Sequence, residues 1–394
     1  MNYNRTVKND SAVTVRVMCA VVFVVFTFLW LYFFQADLLS VAQHVFSGGR
    51  TSYNRLTGTL LITFVLMLLQ LGVFWLVPLR KFFHALTYFP SFLCLAMLTS
   101  AGERADCQFS LGRWLWLAPL LLVLWGGLVW VARSLQLYEA RHATGLFSRC
   151  MWVNMLTMAF MMTVVALSAN TNAVFHFRTH AESALLSRDY DEALRVGSSS
   201  HETDASLTMV RMYALARKGQ LGDRLFHYPV YPSSEAILPT ATGARMLMYP
   251  ADSVYRFLGA VPRRPMQPHE YLAAIERSGQ AKAPAHDYLL CSLLIDKDLD
   301  SFARQIGRYY TVNDSLPRHY REALVLYTHL RSNPHIVYHD PVLDVDYDDL
   351  QTLKADYKDY DERKGKVLEH YRNSYWYYYE FIKPINHKQQ QEKK

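Results

Sequence analysis

Five long apolar runs fall within residues 1–170, and none follows in residues 171–394. Roughly 20 apolar residues are needed to cross about 30 Å of hydrocarbon. The runs at 17–34, 56–79, 82–100, 114–132 and 151–168 therefore predict five membrane-spanning helices. The third run contains His84 and Pro90, and Arg80 and Lys81 are the whole turn that joins it to the second. Bulky Leu31, Tyr32, Phe33 and Phe34 stand where a cleavable signal peptide needs small residues, so the first run reads as an anchor.

Beyond residue 171 the apolar positions recur at 3.6-residue spacing, the mark of amphipathic helices, and short polar turns separate them. The phrase Arg188-Asp189-Tyr190-Asp191-Glu192-Ala193-Leu194 resembles the turn and second-helix start of a tetratricopeptide repeat. An approximate second copy runs from Ala216 to Asp223, about 31 residues on, where the repeat length is 34. Gly197 departs from the bulky residue that the pattern expects. A third hairpin is predicted from Tyr288 through Asp296-Lys297-Asp298 to Tyr309, and Pro317 opens a further helix at a first-turn position. Between the copies, prolines from Pro229 to Pro268 break a long segment. Within it, residues 244–249 and 254–258 read as helix-like, and a binding surface is expected there. The fold class is all-α: about five transmembrane helices over 1–170, then a soluble helical-hairpin domain of degenerate tetratricopeptide type over 171–384. Residues 385–394 read as a disordered polar tail.

Charge divides at the same place. Residues 1–170 hold 12 Lys/Arg against 5 Asp/Glu, and residues 171–394 hold 29 of each. A nucleic-acid binder would carry its basic patch on the soluble domain, so nucleic acid is excluded as a partner. With the amino terminus inside, the inner segments hold eight Lys/Arg and the outer loops only Arg50, Arg55, Arg104 and Arg113. Five spans then place the C-terminal domain outside the cytoplasm. Five cysteines make no disulfide framework; Cys107 and Cys291 are the one pair that an oxidising compartment could join.

Candidate chemistry is sparse. The first outer loop carries Asp37, His44, Arg50 and Arg55. An acidic residue just outside the first span resembles multi-spanning glycosyltransferases that use lipid-linked donors. That likeness implies Asp37 as base or metal ligand and the basic residues as partners of donor phosphates. The plainer reading is an interfacial helix over 36–46 closed by a Gly-Gly turn. His335, His339, Asp340, Asp344, Asp346, Asp348 and Asp349 form the densest ligand-type cluster, and in a helix the spacing of four would put both histidines on one face, with His335, His339 and Asp340 as the candidate metal ligands. Pro334 and Pro341 bracket the group, which argues against a continuous helix. The Asp344-Val345-Asp346-Tyr347-Asp348 run is similar to a calcium loop, but Asp349 and Ala355 occupy the glycine and glutamate positions, which excludes an EF-hand. The expectation is a solvated acidic stretch whose aspartates cap a helix near Tyr347. Arg16, Gln70, His84 and Asn154 are the polar residues in or near spans, and no acidic residue lies inside one, which leaves little for a transporter. No cofactor is implied. The tyrosine-rich run Tyr375–Tyr379 is expected in a helix–helix core.

The phrases Asp37-Leu38-Leu39-Ser40-Val41-Ala42-Gln43-His44, Leu316-Pro317-Arg318-His319-Tyr320-Arg321-Glu322 and Ser374-Tyr375-Trp376-Tyr377-Tyr378-Tyr379 resemble a group of multi-pass inner-membrane proteins of Bacteroides-type bacteria. That group has no assigned activity. The resemblance implies a bacterial inner-membrane location, with a cytoplasmic amino terminus and a periplasmic C-terminal domain. The expected function is a membrane-anchored envelope protein whose helical domain binds protein partners. An envelope enzyme acting on a lipid-linked substrate, and a transporter component, are the alternatives.

Overall fold

A computed structural model describes residues 3–77, 79, 81–100, 112–135, 148–240 and 243–384. Cys107, Arg80, Arg104 and the 385–394 tail lie outside the described residues. The chain forms two compact units, Met1–Asn172 and Ala173–Lys394, and every regular element among the described residues is helical.

The first unit contains α1 (Tyr3–Leu29), α2 (Ala36–Ser47), α3 (Arg55–Leu76), α4 (Phe89–Thr99), α5 (Trp114–Leu135) and α6 (Arg149–Ser168). Among the described residues, five segments are long and apolar enough to cross a membrane: Ala12–Phe34, Arg55–Leu76, Lys81–Thr99, Trp114–Ser134 and Arg149–Ser168. Trp75, Leu76, Trp116 and Leu167 each leave 80% or more of their surface outside protein. In water such an apolar exterior would be costly, whereas in lipid it is the expected one. The five apolar helices mark a membrane protein.

The third segment is the most enclosed, with 56% of its residues buried against 17% in the fourth. It is also broken. Residues Lys81–Tyr88 wind as a tight 3-10 turn, Phe83 leaves helical geometry, and α4 begins only at Phe89 with Pro90 in its first turn. Broken helix in hydrocarbon needs its backbone groups met from elsewhere, and the polar span residues do this. Asn154 Oδ1 accepts the Ala85 N–H at 2.8 Å, and its Nδ2 donates to the Lys81 carbonyl at 2.7 Å. Gln70 donates to Thr87 at 3.0 Å, and Ser91 donates to the Leu66 carbonyl at 2.8 Å. His84 packs edge-on against Phe74 and Tyr88, and the Arg16 guanidinium lies 4.8 Å from the Phe74 ring. Gln70 and Asn154 are thus tied to the backbone and side chains of the break.

The second unit comprises α7 (Ala173–Leu186), α8 (Tyr190–Arg195), α9 (Ala205–Arg217), α10 (Leu221–Arg224), α11 (Ala251–Leu258), α12 (Pro268–Arg277), α13 (Ala283–Ile295), α14 (Leu299–Tyr309), α15 (Arg318–Leu330), α16 (Pro341–Asp356), α17 (Tyr360–Tyr371) and α18 (Tyr375–Phe381). One core joins them, built on α9, α13 and α15. Four of its turns share a pattern. Arg188, Gly219, Gly279 and Lys297 all adopt the left-handed conformation. In each turn the next residue's N–H returns to a carbonyl five positions back: Asp189 to Ala184, Gln220 to Leu215, Gln280 to Ile275 and Asp298 to Leu293. Asp189 and Asp298 then cap α8 and α14 by accepting from Glu192 and Ser301, both at 2.9 Å. Gln220 supplies no such cap, and α10 ends after a single turn. The second helical copy expected from the sequence is therefore a stub.

Two further expectations are corrected. Residues 244–249 form no helix, because the consecutive N–H groups of Leu247, Met248 and Tyr249 all donate to one oxygen of Glu182, at 2.7, 2.8 and 3.4 Å. That carboxylate is fully buried and paired with Arg178 Nε at 3.2 Å. The helix expected near Tyr347 starts instead at Pro341, where Asp340 accepts from Val342 and Leu343 at 3.0 and 3.1 Å. The proline-rich segment also turns inward in part, with Ala236, Ile237, Leu238 and Ala244 buried.

Candidate ligand-binding cleft

The chemistry-bearing region of the second unit grows from a buried carboxylate. Glu322, on α15, is wholly enclosed. Its Oε2 meets His319 Nδ1 at 2.9 Å and accepts the Tyr375 N–H at 2.7 Å, while Oε1 accepts from Arg318 Nε at 2.8 Å. Burial pushes its pKa up, but His319, the Tyr375 amide and Arg318 outweigh that and hold it below the usual carboxylate range. Trp376 Nε1 adds a bond to the Glu322 carbonyl at 2.8 Å, so this residue ties α18 to α15. The other ring nitrogen of His319 accepts the Phe226 N–H at 3.3 Å. With a carboxylate on Nδ1 and the Phe226 N–H on Nε2, both ring nitrogens of His319 are engaged within the protein.

Phe226 belongs to a 3-10 turn, Leu225–His227. Its ring packs against Tyr375 and Tyr378 at centroid distances of 5.0 and 4.8 Å. The next residue, His227, lies 5.5 Å from the His319 ring, and its Nε2 is buried with no protein hydrogen-bond partner. Burial, followed by the neighbouring His319 and Arg318, pushes the His227 pKa down to about 4. His227 is therefore neutral at pH 7.

Around this turn opens a cleft of about 690 Å³. One wall is α17 with its C-terminal flank, where Lys364, Leu368 and, just past the helix end, Arg372 recur at four-residue intervals. Asp359 caps that helix by accepting from Glu362 at 3.0 Å, and buried Val367 anchors it to the core. The loop before α9 also lines it, with His201, Glu202 and Thr203. The rest of the lining is largely aromatic and aliphatic, including Phe226, Tyr228, Val230 and Tyr378. Among the described residues, Lys364 and Arg372 make no ion pair. Behind Tyr228, Arg211 is 1% exposed, with its guanidinium 5.2 Å from the Tyr228 ring. One of its nitrogens donates to the Gly197 carbonyl at 3.0 Å, while Nε and Nη1 have no partner. Burial lowers its pKa to about 10, which leaves it charged. A volume in this range with apolar walls and a few polar groups is what binding sites show.

The residues singled out in the sequence lie elsewhere. Asp37 is in the first turn of α2 and faces Arg55 at 3.5 Å; Arg55 also lies 5.8 Å from the Tyr32 ring. His44 is two turns further along α2, about 10 Å by helix rise, with its ring against Gly49. Gly48 and Gly49 close the helix with positive φ. Arg50 is exposed. The structure thus joins Asp37 to Arg55, and sets His44 and Arg50 apart at the far end of the helix. In the other group, Asp340 Oδ2 accepts from Arg321 at 2.8 Å while its partner oxygen caps α16. His339 pairs with Asp344 at 3.1 Å, and the His335 N–H donates to Tyr327. No group of three or more His, Cys, Asp or Glu is placed to hold a metal among the described residues. Cys291 is buried, 3.5 Å from the Tyr320 hydroxyl.

Sequence reasoning missed the cleft because its walls come from residues near 174, 201–203, 226–230 and 364–382. The one local signal was Lys364, Leu368 and Arg372 at helical spacing.

Residues 264–382 match the model of a family of unknown function, DUF6057. The matched stretch runs from just before α12 to the end of α18. It therefore includes the α17 wall and the Glu322 network, but not the wall before α9. No curated protein and no solved structure matches the chain.

Proposed function

We propose that the chain is a membrane-anchored envelope protein whose C-terminal helical unit binds a protein partner. The cleft carries this reading: it is open and lined by aromatic side chains and by Lys364 and Arg372, which make no ion pair among the described residues. Packing of consecutive helices, with four turns of one hydrogen-bond pattern, supports a degenerate tetratricopeptide-like hairpin stack. Such stacks hold peptides and partner helices in their concave surfaces. The excess of Lys/Arg in alternate loops supports a cytoplasmic amino terminus and a periplasmic C-terminal unit in a bacterial inner membrane. The Asp37–Arg55 pair acts on this reading as a staple between α2 and α3.

In-cell crosslinking with affinity capture tests this, comparing the full chain with one that lacks residues 173–394. Partners captured only by the full chain are expected, and equal capture by the membrane half alone would sink the proposal. If Asp37→Asn abolishes rescue of a chromosomal deletion while protein levels hold, the lipid-linked enzyme reading replaces it.

A further inference from the structure

The lining of the cleft is specific enough to define the occupant, on the reading that this unit binds a partner protein. Lys364 on α17 and Arg372, the residue just after it and still in helical geometry, are eight residues apart, about 12 Å along the helix axis, with Leu368 midway. Both are half-buried and lack an acidic partner among the described residues. Arg211 adds a third positive charge below the Tyr228 wall, with two unsatisfied nitrogens in a position that is 1% exposed. Glu202, in the loop before α9, is the single carboxylate among the lining residues, and it is exposed. A half-buried cation pair that the protein itself does not neutralise favours an anionic guest. An extended chain rises about 3.3 Å per residue and presents alternate side chains to one face. Two carboxylates four residues apart therefore span about 13 Å, which matches the two cations, and the residue between them on that face meets Leu368 and the aromatic wall.

We infer that the cleft binds an extended acidic segment of a partner protein, with the pattern acid–any–apolar–any–acid, its two carboxylates on Lys364 and Arg372 and its apolar side chain against Leu368, Tyr228 and Tyr378. A globular anion or a neutral apolar peptide would satisfy only part of this surface.

The test uses the full chain in detergent micelles and fluorescence polarisation with labelled peptides. The probe is glutamate-serine-leucine-serine-glutamate flanked by glycines. Controls replace both glutamates by glutamine, replace them by lysine, or move the leucine next to one glutamate. The glutamate probe is expected to bind at least tenfold tighter than each control, and its affinity should fall as salt rises. Lys364→Glu with Arg372→Glu should abolish binding while the melting profile of the chain is unchanged; these side chains bear on no core contact. Equal binding of the glutamine peptide, or binding undiminished in the double variant, would overturn the inference. So would displacement of the probe by phosphatidylglycerol vesicles but not by excess unlabelled peptide, which would make the cleft a lipid-headgroup site. If no peptide binds while partners are still captured through the C-terminal unit in cells, the occupant is refuted and the partner-binding function survives. Loss of both refutes both.

Discussion

His227 and Glu182 show how one side chain can govern a region. The His227 pKa is pushed from 6.5 down to about 4, so the unfolded chain binds the extra proton first as pH falls. Its contribution to stability is then complete above pH 6.5 and is lost progressively between 6.5 and 4. The melting temperature of the second unit should decline across that window, and His227→Gln should flatten the decline; an unchanged slope in the variant would show that another group is responsible. Glu182 replaces a helix at 244–249 with an irregular strap, because one carboxylate answers three amides and Arg178. Removing one partner of a buried pair costs about 3–5 kcal/mol. Glu182→Ala should therefore free residues 244–249 to exchange their amide hydrogens rapidly, and hydrogen-exchange mass spectrometry would read this directly. Neither role was legible from the residues alone: the apolar pattern at 244–249 is helical by spacing, and Glu182 lies more than sixty positions away.

At the scale of elements, length follows from caps and close approaches as much as from apolar periodicity. The turns at Arg188 and Lys297 are each followed by an aspartate that starts the next helix, whereas Gln220 follows Gly219 and α10 stops after one turn. The sequence phrase pointed to the turn correctly and could not show that the helix beyond it would fail. What holds the stub is contact: a Cβ on Gly222 would come within 2.7 Å of Pro317 Cβ and 2.8 Å of the Tyr320 ring. Gly222→Ala should force α10 and α15 apart and cost about 1–3 kcal/mol, seen as a lower denaturation midpoint; an unchanged midpoint would mean the surroundings yield freely. The third apolar segment follows similar logic. Pro90 warned of a break, and Asn154 from α6 supplies the hydrogen bonds that make the break tolerable in lipid.

For the molecule as a whole, the abrupt end of the apolar runs near residue 170 and the unit boundary at Asn172 lie together. The orientation proposed from the loop charges can be tested directly. Alkaline phosphatase fused after residue 384 should be active, and fused in the loop after the fourth span it should be inactive; the reverse pattern would invert the proposed orientation. The same charge count shows the second unit neutral overall, yet its cations are not evenly distributed. Lys364 and Arg372 line one cleft in which Glu202 is the single carboxylate, while Asp340 and Glu380 pair with Arg321 and Lys354 elsewhere.

The amino-acid sequence by itself determined the all-helical class, the five apolar helices and the positions of the main hairpin turns, because these depend on run length, 3.6-residue spacing and local turn chemistry. Tertiary structure alone decided that Asp340 caps a helix beside Arg321, that Asp37 meets Arg55, and that residues near 201, 227 and 364–372 share one cleft. Those outcomes depend on which distant groups arrive together, and a carboxylate or cation in a one-dimensional string carries no record of its partner.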